Sequence, residues 1–161
     1  MDATHLHLLL NHFPTIGTLI AVILIGYGLA ANNVHIKKAG LLILVGVALI
    51  SIVVFNTGEE AEETVEHIAG VSHDQIHEHE EAAETAIWLM YVLGVVALIS
   101  YVMMRAKMVP AKVICYITLA LGVLTLASMI QVGNEGGKIR HAQELSAVTN
   151  STTETHSNND H

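Results

Sequence analysis

The sequence predicts an all-α integral membrane protein, a four-helix bundle running up-down-up-down with both termini outside. Three observations predict it. The 161 residues are 52% hydrophobic and only 14% charged, with a mean hydropathy of +0.53, far from a soluble domain of this size. The apolar residues fall in four blocks, about Pro14–Ala31, Ala39–Phe55, Ala82–Met104 and Val113–Val132, with no Asp, Glu, Lys or Arg in any apolar centre. Each is about as long as the ~20 residues a helix needs to cross the hydrocarbon core. The basic residues gather in alternate connections: Lys37 and Lys38 after the first block, Arg105, Lys107 and Lys112 after the third. The positive-inside rule assigns those two loops to the cytoplasm and the termini and central loop to the other side.

The elements follow in order. Residues 1–13 carry THLHLLLNHF, which suits a short interfacial turn of helix. Pro14 is expected at the first position of span one, where its missing N–H is harmless. No Lys or Arg precedes this span, so it reads as a retained span and not as a cleaved signal peptide, which begins with a cationic stretch. Gly58 is expected to cap span two at its C-terminus. The loop 56–84 then holds ten acids and no Lys or Arg, an acidic outer cap. Ser72-x-x-Gln75 fits a capping box, from which a helix runs through His79 into span three. On that helix Ile76, His79, Ala83, Ala86, Ile87 and Met90 share one stripe, while His73, His77, Glu80, Glu81 and Glu84 share another. His79 therefore points with the core. After span four, Gly136 and Gly137 allow a tight turn or a close backbone approach. The four-helix domain is expected to fill residues 1–145, with a disordered Ser/Thr/Asn-rich tail at 146–161.

The net charge of −8 argues against nucleic acid as a partner. One cysteine, Cys115, excludes an internal disulfide and a Cys-based metal centre, and no CxxCH is present for a covalent haem. Buried in span four, it reads as packing.

Ten of eleven histidines lie on the outer side, His35 being the exception. His12, His67, His79 and His141 flank the outer ends of the four spans, and a bundle brings those ends together. Clustered imidazoles point to iron, zinc or copper, to haem, or to a pH-responsive surface. For a b-type haem the expected axial pair is His79 and His141, with His12 and then His67 as substitutes. Lys138 and Arg140, the only basic residues on that side, would hold the propionates. For a non-haem iron, zinc or copper ion the expected ligands are His12, His67, His79 and His141 with Glu59 and Glu63, since Glu63 and His67 are i,i+4. His5, His7, His73, His77, His156 and His161 read as exposed. The scattered methionines read as packing. An enzyme is the least expected reading, because no nucleophile–base pair or phosphate loop appears.

Asn11-His12-Phe13-Pro14, Thr57-Gly58-Glu59-Glu60-Ala61-Glu62, Glu78-His79-Glu80-Glu81-Ala82-Ala83 and Gly136-Gly137-Lys138-Ile139-Arg140-His141 resemble motifs of the DUF2231-type predicted membrane proteins, in the short form found in Bacteroidetes-like bacteria. The resemblance covers about residues 5–145. Residue by residue it carries over His12, Gly58, Glu59, His79, Gly136, Gly137 and His141. Related domains are joined to cytochrome-like or Rieske-like modules, which implies electron transfer at the outer face of a bacterial inner membrane. The negative charge of the glutamate run could attract a basic carrier such as a periplasmic cytochrome c, and other membrane redox subunits are the further expected partners. The alternative is a metal-binding or structural accessory subunit of a larger membrane complex.

Overall fold

The computed structural model describes residues 3–65, 73–108 and 111–157, with side chains described at 6–60, 73–108, 111–138 and 141. Among these residues there are five helices and no strand: α1 Ala3–Leu10, α2 His12–Ala30, α3 Val34–Val65, α4 His73–Arg105 and α5 Ala111–Ser157. Four of them contain stretches long and apolar enough to cross a membrane. Consecutive long helices pack on each other, α5 also packs on α2, and α1 lies against α3.

The packing register is visible at small residues. Gly28 lies against Lys37, Gly40 against Ile25 and Gly17 against Val47, so α2 and α3 are antiparallel. Gly94 meets Ala48 between α3 and α4, and Gly122 meets Val22 between α5 and α2. Small side chains let helix backbones approach closely where lipid removes the hydrophobic drive to associate. The core they enclose contains Ala21, Ile25, Leu41, Leu44, Met90, Leu93, Ala97 and Cys115.

The distribution of polarity is inverted relative to a water-soluble bundle. Thr18, Ser51, Ser100, Thr118 and Thr125 are buried, while Ile20, Ile23, Leu49, Val95, Val102, Val113 and Leu124 are exposed. Most of the buried hydroxyls are satisfied internally: Ser51, Ser100, Thr118 and Thr125 donate to carbonyls one turn back, and Ser100 and Thr118 are 2.7 Å apart. An apolar belt of that extent needs an apolar solvent. The chain is thus a multi-pass membrane bundle.

The two short connections lie at one end, the lysine end, and share a geometry. After α2, Asn32 adopts φ 50°, and after α4, Lys107 adopts φ 56°. Asn33 N–H bonds Gly28 O and Asn32 N–H bonds Leu29 O; Met108 N–H bonds Met103 O and Lys107 N–H bonds Met104 O. This is the Schellman arrangement, which uses carbonyls a helix end would leave free. Asn33 then caps α3, its Oδ1 accepting from His35 N–H and Ile36 N–H at 2.9 and 3.2 Å. Asn occupies the left-handed region at lower cost than Lys, so Lys107→Asn is expected to stabilise the bundle by about 1 kcal/mol, read as resistance to denaturation in SDS.

Several expectations change. Pro14 is the third residue of α2, still among the first four whose N–H lacks a helical partner. Gly58 does not end α3, which continues to Val65; the glutamate-rich segment after it favours helix. No turn forms at Gly136-Gly137. The backbone of α5 continues to Ser157, through most of the segment expected to be disordered. Extending a helix already nucleated costs far less than starting one. Ser72, His67 and the rest of 66–72 lie outside the described residues. The 33 residues of α4 span ~50 Å at 1.5 Å per residue, longer than a ~30 Å hydrocarbon core. His79 therefore stands near the rim, at the histidine end, on the face that sequence periodicity assigns to it.

Candidate functional site: two imidazoles in matching cradles

His7 is half-buried between α1 and α3. Its Nδ1 lies 3.0 Å from Val54 O. A carbonyl only accepts, so Nδ1 carries the hydrogen and Nε2 keeps its lone pair. The ring rests on Gly58, where an added Cβ would come within 3.0 Å of Cε1 and 3.2 Å of Nδ1. Thr57 Oγ1 also donates to Val54 O, at 3.0 Å.

His79 repeats this setting on the other hairpin. Its Nδ1 lies 3.2 Å from Val132 O, again leaving Nε2 as the lone-pair nitrogen. The ring rests on Gly136, where a Cβ would come within 3.2 Å of Cε1 and 3.5 Å of Nδ1. In both cases the accepting carbonyl lies one helical turn before the glycine under the ring. The two imidazoles are near enough to act on each other electrostatically, and Glu135 acts on His79 as well. Asn11, one turn after His7, has an Oδ1 that is buried without a hydrogen-bond partner.

The surroundings are acidic. Glu135 accepts from Lys138 Nζ at 2.6 Å. An open groove of about 490 Å³ between α4 and α5 is bordered by Glu78, Glu81, Thr85, Ser128, Gln131 and Glu135. His77 is solvent-exposed, with Glu80 and Glu81 at 3.6 and 3.4 Å, on the solvated face that periodicity assigns to it.

The expected site is therefore brought together only in part. His79 and Gly136 come together, the ring of one lying on the backbone of the other. His12, His141, Glu59 and Gly137 are exposed, and a Cβ on Gly137 would meet nothing within 4 Å. Lys138 is exposed and tied to Glu135. The side chains of Arg140 and Glu63, and all of His67, lie outside the described residues. His7, read as an exposed interfacial residue, is instead the counterpart of His79. Its signal is an internal repeat. His5-x-His7 matches His77-x-His79, and Val54-Phe55-Asn56-Thr57-Gly58 matches Val132-Gly133-Asn134-Glu135-Gly136 as Val-x-Asn-x-Gly. Each HxH supplies an imidazole, and each Val-x-Asn-x-Gly supplies the carbonyl and cradle that receive it.

Fold and site define a class: a four-helix membrane bundle presenting two backbone-oriented imidazoles at one end. Compared with family models, curated proteins and solved structures, the chain matches none.

Proposed function

We propose that the chain is a small b-type haem protein of the bacterial inner membrane, its iron held by Nε2 of His7 and Nε2 of His79, and that it passes electrons at the membrane surface. The carrying observation is the matched pair of Nδ1-to-carbonyl bonds. A ligand histidine whose other nitrogen donates to a carbonyl is fixed in tautomer and orientation and is made a better base. Gly58 and Gly136 remove the side chains that would push the rings away. The described donors of the site are two imidazoles. Among the described residues no group of three or more His, Cys, Asp or Glu is placed to hold an ion, whereas a catalytic zinc takes three protein ligands and a structural zinc four. Haem supplies four nitrogens of its own and asks the protein for two. In this reading His7, and not His141, would hold the group together with His79.

Haem bound here supplies a one-electron iron couple. The chain's residues orient the imidazoles and set the local charge. Lys138 and Arg140 remain the only basic residues at this end. In this reading the bundle crosses up-down-up-down, with the termini and histidine end in the periplasm, and the basic loops inside. The exposed carboxylates Glu80, Glu81 and Glu84 favour a basic carrier such as a cytochrome c, whose association would slow as salt screens the charge.

The test is a visible spectrum of the detergent-purified protein, oxidised and dithionite-reduced, with metal analysis of the same sample. A Soret band with an α-band sharpening on reduction is the expected result. A colourless protein with stoichiometric zinc, copper or iron would replace haem by a non-haem centre. A colourless, metal-free preparation from haem-replete cells would leave the accessory-subunit reading.

A further inference from the structure

We propose that the lysine end of the bundle binds the phosphate of an anionic phospholipid, with Lys37 as its principal ligand. This rests on the membrane fold and is independent of the haem reading. Lys37 stands in the first turn of α3 and is only 7% exposed. Its stem lies over Gly28, where a Cβ would come within 2.8 Å of Lys37 Cγ. Cys115, fully buried on α5, is within its electrostatic reach. The lysine therefore sits inward, at the mouth of the bundle.

Among the described residues no carboxylate pairs with it. In the sequence every Asp and Glu lies at position 2, within 59–84 or within 135–160, none of them in the connections 31–33 or 106–110. The backbone and cap acceptors of this turn already serve the helix ends. Tyr27 O, Gly28 O and Leu29 O receive N–H groups of Ala31, Asn33 and Asn32, and Asn33 O receives Lys37 N–H. Asn33 Oδ1 accepts from His35 and Ile36. The amine makes no ion pair among the described residues, yet it is not among their sealed, partnerless side-chain atoms. A snorkelling stem that carries the charge to the headgroup plane satisfies both facts.

The same end supplies the rest of a lipid site. Lys38 adjoins Lys37, Lys112 lies one turn before Cys115 on α5, and Arg105 and Lys107 are exposed in the other connection. Val113, Tyr116 and Ile117 are exposed along α5 from that end, an apolar track for acyl chains below a bound phosphate. Free inorganic phosphate would use the lysines and not the track.

The test uses the full chain in phosphatidylcholine nanodiscs containing phosphatidylglycerol, followed by native mass spectrometry of the lipid retained on mild release. Wild type is expected to retain phosphatidylglycerol in preference to phosphatidylcholine. Lys37→Gln should lower that preference by at least about fivefold, the factor one lysine supplies at an anionic surface. Lys37→Arg, which keeps the charge, should keep it. Equal preference in wild type and a folded Lys37→Gln would overturn the assignment. So would displacement of the lipid by millimolar inorganic phosphate, which would identify a free-anion site. Should Lys37→Gln lose its helical circular dichroism, absence of any preference in wild type would still overturn the proposal.

Discussion

His79→Ala is expected to leave the bundle folded and unable to hold its haem, with affinity lower by more than about 100-fold. Loss of a partner that merely orients a ligand costs 10–100-fold, and here the ligand itself is removed. The fold should survive because His79 is only half-buried and its acceptor, Val132 O, belongs to a helix that persists without it. His7→Ala should behave alike, since His7 has the same bond and the same cradle. His12→Ala and His141→Ala should leave the spectrum unchanged, both side chains being exposed. The measurement is the Soret absorbance per protein across the four variants, beside far-ultraviolet circular dichroism. Loss of the band in His141→Ala with retention in His7→Ala would reinstate the pair that the sequence predicts.

Filling either cradle comes next in size. Gly58→Leu and Gly136→Leu are expected to weaken haem binding by about 10–100-fold, because a side chain there drives the imidazole off its carbonyl. Even the first carbon would sit 3.0 Å from His7 and 3.2 Å from His79. Overpacking adds a stability cost of about 1–3 kcal/mol. The neighbouring Gly133 provides the contrast. Nothing lies within 4 Å of a Cβ there, so Gly133→Ala should raise stability by about 1 kcal/mol through helix propensity alone and leave the spectrum intact. Haem titration and SDS denaturation of the three variants check both halves. Equal haem affinity in Gly58→Leu and wild type would separate the glycines from the site.

Much of the fold was legible in the sequence because each span carries its own signal. Apolar length marks all four, and lysine placement marks the shared end. The 3.6-residue period across Ile76, His79, Ala83 and Met90 correctly turned His79 inward and His77 outward. What failed had non-local causes. Gly58 looks like a helix stop in isolation. Its role is set by His7, 51 positions earlier in the chain, which needs a bare backbone to rest on. His7 itself sits in a short segment too brief for periodicity to assign a face, and α1 acquires its orientation only by packing on α3. Lys37 reads as a solvated loop residue because positive charge usually is. Its burial follows from where α3 starts, and that is fixed by the Asn32 and Asn33 turn.

The central claim is that His7 and His79 together complete one iron's coordination. Its most direct test is His7→Gly protein titrated with free imidazole and followed by visible absorption. The expected result is a changed, weakly held haem whose reduced low-spin α-band returns as imidazole fills the vacated space beside Gly58. An unaltered wild-type spectrum in His7→Gly before any imidazole is added would contradict the account.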